Sequence, residues 1–415
     1  MSKSKTQNNS KKRLKRFLLG VLIVLVVANL LIIFSGKTYL YKGVASTYLV
    51  GKTGPSIYDS LTFPTRNATP SDAPENWAIQ QPIGSLSTSE VNQLDSIRTT
   101  SFLLVRNDSI ILEKYFNTHD RKTKSNTFSA AKSLIGLGVG IAIDQGYISS
   151  FDATINNYLP FELENSKNIT IRDLLGMSSG LNWSESSGNP FSDNAAAYYG
   201  SDLLTLMKGQ SFQPHDTDTF DYASGNTQLL GYILKSATQQ NPTDFIAQNI
   251  WKKIGTENGF MWSLDKKNGM EKSFCCFYAT SRDFAKVGQL ILQDGIWKKD
   301  TIIQPSTLRE LTAPHHSASS EYGLHFWRLD DPETPAMYAR GILGQYIIAI
   351  PKLNMVVVRT GHERKDKFFL PQNKPGSSKN AYKENHPLDL FTYISIAKKR
   401  GIKANEKGYS NTKGK

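Results

Sequence analysis

The chain reads as an α+β protein: an antiparallel β-sheet flanked by helices, with an inserted, mostly helical subdomain, and one N-terminal transmembrane helix in front. Three observations predict this. Short apolar segments broken by turn residues gather at both ends of the body. Residues 150–300 between them carry helical periodicity. Residues 17–36 contain no charge and are long enough to span a bilayer as a helix. Strands at both ends must meet in one sheet, because each apolar face needs a cover.

In chain order, residues 1–16 form a basic tail predicted to be cytoplasmic, and 17–36 the transmembrane helix. Positive charge before the helix and little after it sets that orientation. A cleaved signal peptide is the alternative, but its apolar region would be shorter. Residues 37–80 are rich in Thr, Ser, Pro and Gly and read as a spacer that lifts the body off the membrane, with wrapping against the body as the alternative. The body is expected over 81–400. It opens with SFLLVRNDSIILEKYF, two β-rich runs around Asn107-Asp108, which is a hairpin signature. A helix beginning at FSAAK should run to Gly146, a good C-terminal stop. TIRDLLGM, NTQLLGYILKSATQ and SRDFAKVGQLILQDG follow as helices. YGLHFWRL, AMYARGI, QYIIAIP and NMVVVRTG are late strands, and LDLFTYISIAKKR is a closing amphipathic helix. Residues 401–415 read as a disordered basic tail.

The net charge of +13 is confined to the two ends. Seven positives precede residue 17, seven more against Glu406 alone follow residue 397, and the body between is formally neutral. A nucleic-acid enzyme is therefore excluded, since its binding face would itself be basic. The only cysteines are Cys275 and Cys276. Adjacent cysteines rarely bridge, so no disulfide framework is expected, and two are too few for a zinc cage. A tight buried turn is the expected setting; a redox or nucleophilic role is the alternative. His119, His215, His325 and His362 show no metal-ligand spacing, so no metal or cofactor is expected. His325 should be a core or rim residue.

Three segments carry candidate chemistry. Ser-x-x-Lys occurs at Ser2, Ser129, Ser263, Ser395 and Ser410, but only Ser129 opens a strongly apolar helix directly after a hairpin. Positions i and i+3 share a helix face, so Lys132 can reach the Ser129 hydroxyl. Burial would lower the lysine pKa and free its amine as a base. FDYASGNTQLLGYIL places Tyr222, Gly225 and Asn226 at the mouth of an amphipathic helix. ARGILGQYIIAIP sets Gly341 and Gly344 around Ile342-Leu343 at a strand start, where a glycine lets another backbone or a ligand come close.

Together and in this order, the three resemble the serine β-lactamase and penicillin-binding protein superfamily. TIRDLLGMSSGLNW and YATSRDFAKVGQLILQDGIW resemble further segments of that family. Within it, YASGNTQLLG and GILGQYI are most similar to the class C-like esterase group that includes 6-aminohexanoate-dimer hydrolase. The resemblance implies a β-lactamase/transpeptidase-like fold over about residues 80–400. It implies Ser129 as nucleophile, Lys132 as its base and Tyr222 as proton relay to the leaving group. The amides of Ser129 and Ile342 would form the oxyanion hole. Asn226 would orient Tyr222 or contact substrate, and Arg340, Gly341 and Gly344 would contact substrate, an ester, amide or peptide. The chain departs from the family at two points: Tyr-x-x-x-Asn replaces Tyr-x-Asn, and Ala339-Arg340-Gly341 replaces Lys-Thr-Gly. The missing lysine weakens the case for penicillin recognition, and a lysine at 339 is the expected way to restore it. A D,D-peptidase or β-lactamase remains an alternative, as does a catalytically silent scaffold. The oligomeric state is left open.

Overall fold

The computed structural model describes residues 2–364 apart from Ser187 and His215, then 382, 383 and 386–411. The expectations for His215 and for residues 412–415 lie outside that range.

The body is built on a seven-stranded sheet of β1 (Ala78–Gly84), β2 (Thr99–Arg106), β3 (Ser109–Tyr115), β4 (Trp327–Leu329), β5 (Ala336–Gly341), β6 (Gln345–Ile350) and β7 (Met355–Gly361). Its order is β4-β5-β6-β7-β2-β3-β1. The late strands thus meet the early hairpin where β7 pairs antiparallel with β2. Only the edge strand β1 runs parallel to its neighbour, β3.

Alternation along β2 sorts its side chains onto two faces. Leu103 and Val105 join a core with Ala131 and Leu134, while Phe102 and Leu104 join a second core with Tyr393. On the first face lie α3 (Ala131–Asp144) and α5 (Ser281–Leu292). A Cβ at Gly288 of α5 would come within 2.5 Å of Val356 on β7, so the helix rests directly on the sheet. On the second face lies α6 (Leu388–Asn411), which runs through much of the stretch expected to be a tail. Cover on both sides explains why every residue of β7 is buried. Next to α3 stands α4 (Ser224–Thr238), and α3 is buried from Ala131 to Ala142.

The inserted region is mostly helical, as expected, but two short strands interrupt it. Met261–Ser263 and Phe277–Ala279 form a second sheet with Thr65–Asn67 and Ser125–Asn126. Residues 37–80 are therefore not a free spacer. Ile57, Phe63 and Trp77 are buried, and Thr65–Asn67 supplies an edge strand. The Ser/Thr/Pro/Gly-rich composition concealed these few apolar anchors. Further upstream, the helix α1 (Ser2–Phe34) has a span Lys12–Phe34 long and apolar enough to cross a membrane, and its apolar stretch is not buried.

Two of the motif segments turn out to be architectural. Thr170 and Asp173 of TIRDLL cap each other reciprocally. In YATSRD, Thr280 caps α5, and Asp283 accepts the backbone N–H groups of Glu257 and Asn258 at 2.7 and 3.2 Å. Arg282 forks onto Glu113 of β3 through two 2.7 Å bonds and so ties α5 to the sheet. Burial alone would raise the Glu113 pKa, but the Arg282 bond brings it below the usual carboxylate value. A buried ion pair is costly to break from one side. We expect Glu113→Gln to lower the unfolding free energy by about 3 kcal/mol in urea titration. A change within about 0.5 kcal/mol, the scale of an ordinary surface substitution, would show that the pair does not fasten α5.

Candidate active site

Ser129 sits in a short 3-10 turn, Phe128–Ala130, that leads into α3. The second sheet places it there: Thr127 N–H donates to Phe277 O at 2.9 Å, and Asn126 Oδ1 accepts from Phe128 N–H at 2.9 Å. Phe128 has φ +47°, a left-handed conformation rarely taken by an aromatic residue. Such strain gathers at functional sites, where the surroundings hold it in place. Its effect is to leave Ser129 partly exposed at the N-terminus of a buried helix, in positive potential.

Lys132 lies one turn inside, 2% exposed. Its Nζ is 3.3 Å from Ser129 Oγ, 3.0 Å from Ser224 Oγ and 2.9 Å from Phe274 O. Burial pulls its pKa down to about 8, against the field of Glu185, which pushes it up. A neutral amine has two N–H groups and one lone pair. The Phe274 carbonyl can only accept. Ser224 has already committed its proton, donating from Oγ to Glu185 Oε1 at 2.9 Å, so toward Lys132 it too can only accept. Of these three partners only the Ser129 hydroxyl still has a proton that a neutral Lys132 amine could accept.

Tyr222 completes the cluster. Its ring centre is 5.0 Å from Lys132 Nζ, and it is 5% exposed. Burial and then the Glu185 charge raise its pKa far above the ordinary phenol value, while a hydrogen bond with Ser129 pulls the other way. The phenol therefore stays protonated near neutral pH and serves as a donor. A cleft of about 400 Å³, lined by Ser178, Trp183, Asp216 and Asp221 among others, includes the residue before Tyr222 but not Ser129, Lys132 or Tyr222 themselves.

Ser224 and Glu185 were missed in the sequence. Ser224 occupies the third place of Tyr-Ala-Ser, where Tyr-x-Asn would put its amide, and that spacing was the available signal. Glu185 comes from an irregular loop with no periodicity to mark it. It accepts Ser224 N–H at 2.8 Å and Trp183 Nε1–H at 2.9 Å, so it also caps the start of α4.

Strand β5 closes the other side. A Cβ at Gly341 would fall 2.0 Å from the Thr127 carbonyl oxygen, so only glycine lets the strand end lie this close to the Ser129 turn. Ile342, which follows, is 39% exposed at the mouth. The turn beyond it, with Leu343 at φ +61° and Gly344 at φ +80°, is held by Arg359. This fully buried guanidinium donates to Leu343 O and Gly344 O, both at 2.8 Å, and to Ile97 O at 2.7 Å. Arg359 too was missed, read only as part of an apolar strand.

Several expected site residues lie elsewhere. Asn226 is 1% exposed; it accepts from Ser179 Oγ at 2.7 Å and points its amide at Met177 Sδ, so it braces the 177–181 turn rather than meeting substrate. Gly344 is buried against Arg359 and serves the turn. Arg340 is buried with its guanidinium 3.6 Å from the ring centre of Trp327, near enough to Tyr222 to influence its pKa but folded under the aromatic cluster. Ala339 is buried in the first core, so a lysine there would enter apolar packing rather than restore a substrate contact. His325 is a core residue, bonded through Nδ1 to Leu175 O at 2.8 Å and through Nε2 to Thr227 Oγ1 at 2.9 Å.

Cys275 and Cys276 are joined by a disulfide, contrary to the expectation from their adjacency. The turn is tight and buried, as expected, and Cys276 at φ +67° brings the two side chains together. Trp262 Nε1–H donates to Cys275 O at 2.8 Å, which pins the same turn that offers Phe274 O to Lys132. Among the described residues no group of His, Cys, Asp and Glu is placed to hold a metal.

The family model described as Beta-lactamase matches residues 88–369, and the chain belongs to that family. It is 23% identical over 297 residues to the 6-aminohexanoate-dimer hydrolase of Paenarthrobacter ureafaciens, covering 64% of this chain and 73% of that protein. A Bacillus anthracis structure described as a candidate 6-aminohexanoate-dimer hydrolase superposes with TM-score 0.68 at 20% identity, over 82% of this chain and 92% of that one. A penicillin binding protein from Bacillus halodurans superposes with TM-score 0.55 at 14% identity, over 68% and 96%. These superpositions establish the fold.

The environment of Lys132 fixes a pH dependence. The neutral form grows as pH rises through about 8, so kcat/KM should rise with a midpoint near there. Lys132→Arg should lose at least about a hundredfold, because arginine stays protonated. Wild-type rates in that variant would remove Lys132 from the chemistry. A second test concerns Glu185. Its charge holds the Lys132 pKa up, so Glu185→Gln should move the midpoint to lower pH. A purely structural role would change the rate and leave the midpoint where it was.

Proposed function

We propose that this protein is a serine hydrolase that cleaves an ester or amide through an acyl-enzyme on Ser129. The observation that carries this reading is the buried Lys132 amine, 3.3 Å from Ser129 Oγ. Two of its three neighbours can only accept, and the third is the Ser129 hydroxyl. Ser129 passes its proton to Lys132 Nζ while Oγ attacks the acyl carbon. The backbone N–H groups of Ser129 and Ile342 take the charge that develops on the carbonyl oxygen. Collapse expels an alcohol or amine, which receives its proton from Tyr222; Lys132 returns the proton to Tyr222. Water then repeats the sequence on the acyl-enzyme.

The same reading covers location. The uncharged helix, the basic residues before it and the neutral body support a single-pass anchor with the N-terminus in the cytoplasm and the catalytic body outside. The substrate reading favours short acyl esters over penicillins. Arg340 is buried under Trp327 and Ala339 faces the core, so neither replaces the lysine that meets a β-lactam carboxylate in the related enzymes.

A fluorophosphonate probe should label the wild type and not Ser129→Ala. A nitrophenyl acetate should be hydrolysed with kcat/KM at least about tenfold above that for benzylpenicillin, the worth of about 1.4 kcal/mol in transition-state binding. Equal values would favour a D,D-peptidase or β-lactamase, and no labelling at Ser129 would favour a silent scaffold.

A further inference from the structure

The segment between the apolar helix and the body is folded, and it exposes an unusual amount of apolar surface. The helix α2 (Tyr39–Ser46) turns back beside the end of α1: Tyr41 O–H donates to Asn29 Oδ1 at 2.7 Å. Asn29 lies five residues before the end of α1, about 7.5 Å along its axis. From there to residue 61, Tyr48, Leu49, Val50 and Leu61 stand exposed, Leu49 by 76% and Leu61 by 93%. Phe191 of the body, 60% exposed, lies under Lys37 at 5.9 Å. Large side chains this open are unfavourable in water, and grouped they mark an interaction surface.

The same segment is fastened to the active-site region. Tyr39 O–H donates to Pro190 O at 3.1 Å, on the loop that carries Glu185. Gly43 packs on the ring of Tyr199, and Tyr198 O–H donates to Asp59 at 2.7 Å. Asn126 N–H donates to Ile57 O at 3.3 Å. Ile57 and Phe63 share a cluster with Phe128, which precedes Ser129, and with Leu343, which follows Ile342. The segment is thus a rigid bracket between the anchor and the rim of the site.

We infer that residues 37–64 form a collar that seats on the outer surface of the lipid bilayer and holds the mouth of the Ser129 site against it, so that the acyl substrate is drawn from the membrane. The inference rests on α1 being a membrane anchor. The occupant is lipid because the exposed residues follow the apolar helix in the chain and α2 is bonded back onto that helix. Tyrosines and lysines are interleaved along residues 37–64, in the mix that favours the headgroup level.

The test uses the full chain in phosphatidylcholine vesicles, with nitroxide labels at single introduced cysteines. The native pair is bonded and buried, so it takes no label. Labels at Leu49→Cys and Leu61→Cys should be relaxed by oxygen and shielded from a water-soluble nickel complex. A label at Tyr147→Cys, beyond the far end of α3 and about 20 Å along it from Ser129, should show the reverse. Leu25→Cys in α1 reports the anchor separately. If Leu25 is in lipid while Leu49 and Leu61 meet nickel, or meet neither reagent because a protein covers them, the collar is refuted and the anchor stands. If Leu25 itself meets nickel, the anchor reading fails and the collar with it. In parallel, Leu49→Ser combined with Leu61→Ser should cut hydrolysis of a long-chain ester dispersed in the vesicles by at least about fivefold. Hydrolysis of a water-soluble acetate ester should be unchanged. An equal effect on both esters, or on neither, would also refute the proposal.

Discussion

The site depends on keeping one lysine dry. Lys132 is enclosed by Ser129, Ser224, Phe274 and the ring of Tyr222, and its loss of hydration is what brings its neutral form within reach near pH 8. The enclosing groups come from three parts of the fold: the Ser129 turn, the start of α4, which supplies both Tyr222 and Ser224, and the disulfide-bearing turn. The enclosure therefore exists only once the two sheets and the inserted helices have come together. It is not there for stability. With its folded pKa near 8, below the ordinary 10.5, this lysine contributes stability only as pH rises through that interval, above neutrality.

Around this lysine the chain uses glycine and arginine to bring backbones together. Gly341 allows β5 to press on Thr127, and Arg359 fixes the turn after Ile342 from behind the sheet. Ile342 thereby follows directly on a strand end that presses against the Ser129 turn.

The parts legible in the sequence are those with a local rule behind them. Ser129 and Lys132 share a helix face by their i, i+3 spacing, and the apolar run after them announces a buried helix. The late strands were visible through turn residues, and their meeting with the early hairpin followed from the need to cover apolar faces. What stayed hidden depends on distant packing. Glu185 lies on a loop without period, and its role exists only because Ser224 folds above it. Arg359 looks like one polar residue in an apolar strand until the turn it holds is seen. Asn226 was placed by analogy with a spacing the chain does not have, and its side chain went to Ser179. The region 37–80 looked like a linker by composition, although Ile57, Phe63 and Trp77 were enough to bind it to the body. The adjacent cysteines bridge because one of them takes a left-handed backbone, which no spacing rule foretells.

The central claim is that Ser129 becomes acylated during turnover. Rapid acid quench of the full-length enzyme with a slowly hydrolysed acyl ester, followed by peptide mass spectrometry, tests it directly. The account predicts the acyl mass on the peptide that contains Ser129, appearing within the first turnover and absent from Ser129→Ala. Turnover with no modified peptide, or with the acyl group on another residue, would contradict it.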